Sequence, residues 1–228
     1  MRVAVSGTYS TGKTTTTLAL ANLTGINRTH AKTMREILPE AFPGKKLEEC
    51  TAAELFQLGI RRYAERVVHE SHLTDFISDG SSIHEWIYGQ VRLEVGINPN
   101  DPNSKITSTE LKTTQDMIQQ LGQVVKDHAK KNYDSFIHLP VEFPIKEDGH
   151  RPVSEEFRNK SDELLIKTLD ELQIEYYVVG GTIEERLKKI LVLYDEFPQV
   201  MSIEQAISLA NEEVKAYQIE IEEIFYAP

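Results

Sequence analysis

The sequence predicts a three-layer α/β fold, with parallel strands held between layers of helices. Three observations predict it. Short apolar runs alternate with long helix-forming stretches from end to end, the pattern of successive βαβ units. The first run, Arg2-Val3-Ala4-Val5-Ser6, passes straight into Gly7-Thr8-Tyr9-Ser10-Thr11-Gly12-Lys13-Thr14 and then into a helix. The chain of 228 residues is 40% hydrophobic, enough for a packed core and too much for a disordered polymer. A single domain over 1–228 is expected, with a lid segment at about 141–158.

The elements follow in order. Arg2 to Ser6 reads as a buried strand, and Thr14 to Leu23 as a helix that Gly25 ends. Asn27 to His30 is a short strand, and Met34 to Ala41 a helix broken by Phe42-Pro43-Gly44. Thr51 to Ser71 is a long amphipathic helix, with Thr51 and Glu54 spaced for a capping box. Phe76 to Ser78 is a strand closed by Asp79-Gly80, and Ser82 to Leu93 is helical. Asn98 to Ser108 is rich in turn residues and reads as a loop. Leu111 to Lys131 is helical, Ser135 to Leu139 a strand, and Val141 to Val153 a loop without period. Ser154 to Leu172 is a helix and Glu175 to Val179 the last strand. Thr182 caps a helix to about Leu193, and Ser202 caps the final one to about Phe225.

Charge and cysteine usage narrow the function. Net charge is −11, from 25 Lys+Arg against 36 Asp+Glu, so a broad grip on nucleic-acid backbones is not expected. Cys50 is the lone cysteine; it reads as an inert thiol in a reducing compartment. No basic segment followed by an apolar run opens the chain, and no apolar run has the length of a membrane span. A cytoplasmic location is the expectation, with a homodimer left open.

The chemistry is concentrated in residues 7–15. A phosphate chain needs many donors and little side-chain bulk. Gly7 and Gly12 let the backbone curl so that successive N–H groups, with Thr8, Tyr9, Ser10, Thr11 and Thr15 around them, surround it. The helix that follows adds its N-terminal partial charge. Lys13 places an ammonium on the β- and γ-phosphates, and Thr14 offers a hydroxyl to Mg²⁺. This is a P-loop for ATP or GTP. A guanine reader would be Asn-Lys-x-Asp after a hydrophobic strand. Asn159-Lys160-Ser161-Asp162 matches the letters but sits in a polar helical stretch, so it is read as accidental.

Asp79 ends a strand and would face the P-loop across the crevice where α/β folds bind ligands. There a carboxylate can take the proton of an acceptor hydroxyl or hold Mg²⁺ through water; otherwise it only opens a turn. Arg151 and Arg158, around Glu147-Asp148-Gly149-His150, read as lid cations for the transferring phosphoryl group, or as surface arginines paired with glutamates. Arg35 lies past the second strand, where an acceptor could be held, with Glu36 as its orienter. Gly181, in Gly180-Gly181-Thr182, and Arg186 on the next helix are candidates for the nucleotide's base end.

These segments resemble a known family. Gly7 to Thr15, Thr33-Met34-Arg35-Glu36-Ile37, the strand ending at Asp79, and Val178 to Leu187 are similar to the P-loop kinase domain of the bifunctional bacterial NAD-biosynthesis regulator, which phosphorylates ribosylnicotinamide. The likeness spans roughly 1–195. It implies a nucleoside-kinase-like fold with a five-stranded parallel sheet, ATP and Mg²⁺. Deoxynucleoside kinases, more distant, place an acid followed by Arg-Ser where this chain has Asp79-Gly80-Ser81. The leading expectation is an ATP- and Mg²⁺-dependent kinase acting on a hydroxyl of a nucleoside-like small molecule. The alternative is a nucleotide-binding switch that acts on a protein partner.

Overall fold

The computed structural model describes residues 1–98, 108–145 and 154–226, without the side chains of 108–110 and 220–226. Five strands form one parallel sheet: β1 (Arg2–Ser6), β2 (Arg28–Thr29), β3 (Phe76–Asp79), β4 (Ser135–His138) and β5 (Tyr176–Val178). Their spatial order is β2-β3-β1-β4-β5. The helices are α1 (Lys13–Thr24), α2 (Met34–Ala41), α3 (Ala52–Ser71), α4 (Ile83–Val95), α5 (Ser108–Asn132), α6 (Glu155–Leu172), α7 (Ile183–Leu193) and α8 (Ile203–Tyr226). A short 3₁₀ turn over Leu47–Glu49, which the sequence pattern did not suggest, precedes α3.

Alternation along the strands makes the layers. Val3, Val5, Ile77 and Ile137 face a core shared with α1, α7 and α8. Ala4, Phe76 and Phe136 face the opposite core, filled from α4, α5 and α6. Each such side chain, once buried, contributes about 1.5–3 kcal/mol. Cys50 is buried in a smaller cluster with Ile37, Leu38, Leu55 and Leu58, and burial pushes its thiol pKa up, in keeping with an inert role.

Local signals set the helix starts. Thr51 with Glu54 and Thr182 with Glu185 form complete capping boxes, and Ser154 accepts from the Phe157 N–H. The same device, unread in the sequence, starts α2, where Thr33 pairs with Glu36. The expected loop at 98–108 lies almost wholly outside the described residues, as does 146–153 of the expected lid; 155–158 open α6. Among the described residues, no helix is long and apolar enough to cross a membrane.

Because β1 is central and its neighbours lie on both sides, the chain leaves it at the topological switch point. The crevice beyond the carboxyl ends of the strands is where such sheets take ligands.

Candidate nucleotide and acceptor site

The P-loop leaves β1 through a turn only glycine fits. Gly7 has φ +143°, and a Cβ there would lie 2.8 Å from the Leu139 carbonyl oxygen and 2.8 Å from Thr11 Oγ1. Ser10 has φ +60°. Gly12, at φ 80°, is the N-cap of α1 and offers no side-chain cap, and no acidic residue sits in the first turn. The first N–H groups of α1 are thus left for an anion. Thr11 Oγ1 donates to the Thr8 carbonyl at 3.0 Å, tightening the loop.

Asp79 faces this loop, as its place at a strand end requires. Its Oδ1 is 3.4 Å from Lys13 Nζ, and its Oδ2 is 3.5 Å from Arg28 Nη2. Burial alone would raise the Asp79 carboxyl pKa. Lys13, Arg28, the Thr14 hydroxyl and Arg66 outweigh it and hold the group below the usual carboxylate range. Asp79 is therefore ionised at neutral pH. Beneath it, Arg66 is buried and donates to Ser78 Oγ at 2.7 Å and to the Asp79 carbonyl at 3.1 Å. Burial, then Lys13, Arg66 and Arg62, push His84 well below the ordinary histidine value, so it is neutral.

Arg28 is a site residue that the sequence reading did not single out. Gly80 follows Asp79 without a side chain, and the cation beside the carboxylate comes instead from the neighbouring strand. An arginine in a short strand between two turns was the available signal, since a part-buried guanidinium needs a carboxylate partner. Its Nε is buried without a hydrogen-bond partner, as are Thr8 Oγ1 and Glu85 Oε1. Unsatisfied buried polar atoms are uncommon, and Arg66 Nε, Asp79 Oδ1 and His84 Nε2 are others at this site.

The remaining sequence candidates divide. Glu36 accepts the Thr33 N–H at 2.6 Å and the Tyr217 hydroxyl, so it holds the start of α2. Arg35 sits beside it in the first turn. Arg186 is buried beneath the P-loop rather than beside a base: Nη1 donates to the Thr11 carbonyl at 2.6 Å and Nη2 to Glu142 at 3.1 Å. Gly181 N–H donates to the same Glu142 carboxylate at 2.9 Å. The loop at Gly181, Glu142 and the P-loop thus share one hydrogen-bonded brace. Arg158 is not on the surface; it is buried in α6, 3.4 Å from Glu155, with Nε and Nη2 unpartnered. Arg151 lies outside the described residues. Asn159 to Asp162 lie inside α6 and follow no strand, and Asp162 points inward, 3.4 Å from His138 Nε2.

An apolar pocket opens among α3, α4 and α5, lined by Met34, Phe56, Glu85, Tyr88, Arg92 and Ile118 among others. Neither Asp79 nor Arg35 lines it. Asp79 is instead turned to Lys13 and Arg28. Glu85, held by Arg62 at 3.0 Å, is the carboxylate at the pocket, and α4 carries it away from Asp79 within its first turn.

Arg186→Ala is expected to lower the unfolding free energy by about 2–4 kcal/mol, since it strands the Thr11 carbonyl and Glu142. ATP affinity should fall with it, because the loop loses its brace. Urea denaturation and calorimetry check the two effects; an unchanged ATP affinity would remove Arg186 from the loop's support.

Comparison with known proteins bears on this geometry. The model of the AAA domain family matches residues 2–186. No curated protein matches the chain in sequence. Deoxyadenosine kinase from M. mycoides with bound dATP is similar in structure, with TM-score 0.63 and 16% identity over 86% of this chain and 100% of that one. The NadR protein in complex with NR is similar with TM-score 0.55 and 18% identity, over 87% of this chain and 51% of that one. The chain therefore spans about half the length of NadR. At these identities the likeness establishes the shared fold, a five-stranded parallel sheet flanked by helices.

Proposed function

This chain belongs to the AAA domain family, and we propose from that premise that it is an ATP- and Mg²⁺-dependent kinase for a hydroxyl of a nucleoside or nucleoside-like small molecule. One observation carries the reading: an ionised Asp79 stands at the end of β3 between Lys13 of the P-loop and Arg28 of the neighbouring strand, and a separate pocket with a carboxylate in its wall opens among α3, α4 and α5. A switch protein needs neither a positioned base nor an acceptor pocket. The P-loop cradle, with a backbone that a single Cβ at Gly7 would block, fits a phosphate chain.

In this reading Mg²⁺-ATP supplies the phosphoryl group. The N–H groups of Gly7 to Thr15 and Lys13 hold its phosphates, Thr14 offers a hydroxyl to the metal, and Gly181 lies toward the base. Asp79 accepts the proton of the acceptor hydroxyl as the phosphoryl group is captured, or alternatively steadies the metal through water. Arg28 keeps the carboxylate ionised and oriented. Arg35 and Glu36 border the acceptor end. Arg151, and Arg158 at the start of α6, are read as the guanidinium groups that stabilise charge on the transferring oxygens. The buried, unpaired Nε and Nη2 of Arg158 support an anion partner there.

The test is a panel of nucleosides incubated with Mg²⁺-ATP and read by mass spectrometry for the gain of one phosphate. No gain on any compound, with ATP still bound, would favour the switch. ATP should also bind at least about tenfold more tightly than GTP. The only Asn-Lys-x-Asp string is folded into α6 with its aspartate turned to His138, so it cannot read guanine. Equal or tighter binding of GTP by calorimetry would contradict this.

A further inference from the structure

The C-terminal helix reaches the acceptor end of the site, although it lies beyond the residues that the family model matches. Ala206 and Ala210 are buried in the core that α8 shares with α1, and Glu213 accepts the Asn22 side-chain amide at 2.7 Å. The next position on that stripe, one turn along, is Tyr217. Its hydroxyl donates to Glu36 Oε2, the oxygen that also takes the Thr33 N–H. So the far end of the chain closes onto the first turn of α2, 181 residues away in sequence.

This contact belongs to the crevice rather than to the outer surface. Glu36, which takes the Tyr217 hydroxyl, lies in the first turn of α2 just past His30 and the end of β2, and β2 runs beside β3, which ends at Asp79. These four groups, with Arg28, therefore share one end of the site. Burial, then Glu36, pushes the Tyr217 phenol above its ordinary value, so it remains a donor. This hydrogen bond ties the Glu36 side chain to α8.

We propose that Tyr217 is a positioning residue for the phosphoryl acceptor, and that α8 completes the acceptor end of the site by holding Glu36 toward the bound molecule. The proposal rests on the kinase reading for the role of Glu36. Without the phenol, Glu36 Oε2 keeps its bond to the Thr33 N–H but loses the second of the two donors that hold it. A neutral, hydroxyl-bearing acceptor then meets a carboxylate that must be ordered at the moment of binding. The nucleotide side does not change, because Tyr217 is bonded to Glu36 and Glu36 to the Thr33 N–H rather than to Lys13 or Thr14.

The experiment compares the full chain with Tyr217→Phe, Glu36→Gln and the double variant. Adenosine, deoxyadenosine and ribosylnicotinamide are the acceptor probes, with calorimetric Kd and steady-state KM and kcat measured for each, and Kd for ATP in parallel. Tyr217→Phe is expected to weaken the best-bound probe about tenfold in Kd and KM. Its kcat and its ATP affinity should stay within about twofold. Glu36→Gln should weaken the same probe, and the double variant should be no worse than the poorer single one, the mark of residues acting through one contact. A merely structural tyrosine would lower thermal stability and ATP affinity together or leave the probe untouched, and either result overturns the proposal. Additive losses in the double variant overturn it too. If Tyr217→Phe does not fold, unaltered probe affinity in Glu36→Gln does the same. A probe that binds without gaining phosphate removes the kinase reading while its Kd in Tyr217→Phe still decides this inference. Absence of binding by all three probes to the wild-type chain overturns both.

Discussion

Lys13→Ala should reduce nucleotide-dependent turnover to background, a loss of at least about 10²–10³-fold, while the protein stays folded. The ammonium is the one side-chain charge that the P-loop itself supplies to the phosphates. It sits at the head of α1, part-exposed, 3.4 Å from Asp79 Oδ1. Its removal leaves the α1 N–H groups and the Gly7 turn intact, so the cradle survives with weaker charge. Asp79 retains Arg28, which keeps the buried carboxylate from being stranded. Stability should therefore change by no more than about 1 kcal/mol. Thermal melts, ATP calorimetry and turnover of ATP check the three parts. Undiminished turnover in the folded variant would sink the P-loop mechanism under any acceptor.

The distribution of site residues explains how much could be seen in the sequence. The P-loop is contiguous, and its glycines, lysine and threonine stand in one octet between a strand and a helix. Its detection needs no tertiary information. Strand alternation and the Thr51 and Thr182 capping boxes are equally local, so the layers and most helix starts were legible. β2, β4 and β5 came out shorter than their expected runs, because pairing in the sheet rather than hydrophobicity ends them, while β1 kept its bounds and β3 extends to Asp79.

What escaped the sequence is long-range. Arg28 meets Asp79 across 51 positions, Arg186 meets Thr11 across 175 and Tyr217 meets Glu36 across 181. Such pairings are set by which elements become neighbours, not by any period in the chain. Arg186 shows the consequence. Its position after the last strand suggested the nucleotide's base, whereas packing of α7 turns its side chain under the P-loop. Arg158 is similar: the sequence read it as a lid cation or a surface arginine, and the packing of α6 on α4 buries it.

Asp79→Asn is expected to lower phosphoryl transfer by about 10²–10⁴-fold with little change in ATP affinity. The amide keeps the shape of the carboxylate and removes its basicity. Arg28 and Arg66 remain to hold the strand end. Most phosphate contacts come from Lys13 and the loop backbone, which the substitution leaves in place. Two roles for Asp79 predict different companions to the lost rate. A general base leaves the Mg²⁺ concentration for half-maximal activity unchanged. A carboxylate that steadies the metal through water raises that concentration and restores part of the rate in excess Mg²⁺. A complex with a non-hydrolysable ATP analogue should place the Asp79 carboxylate on the γ-phosphate side of the crevice. Normal turnover in the amide variant, or a carboxylate turned from the crevice in that complex, would take away the kinase's best catalytic residue and shift the reading to a nucleotide-controlled switch.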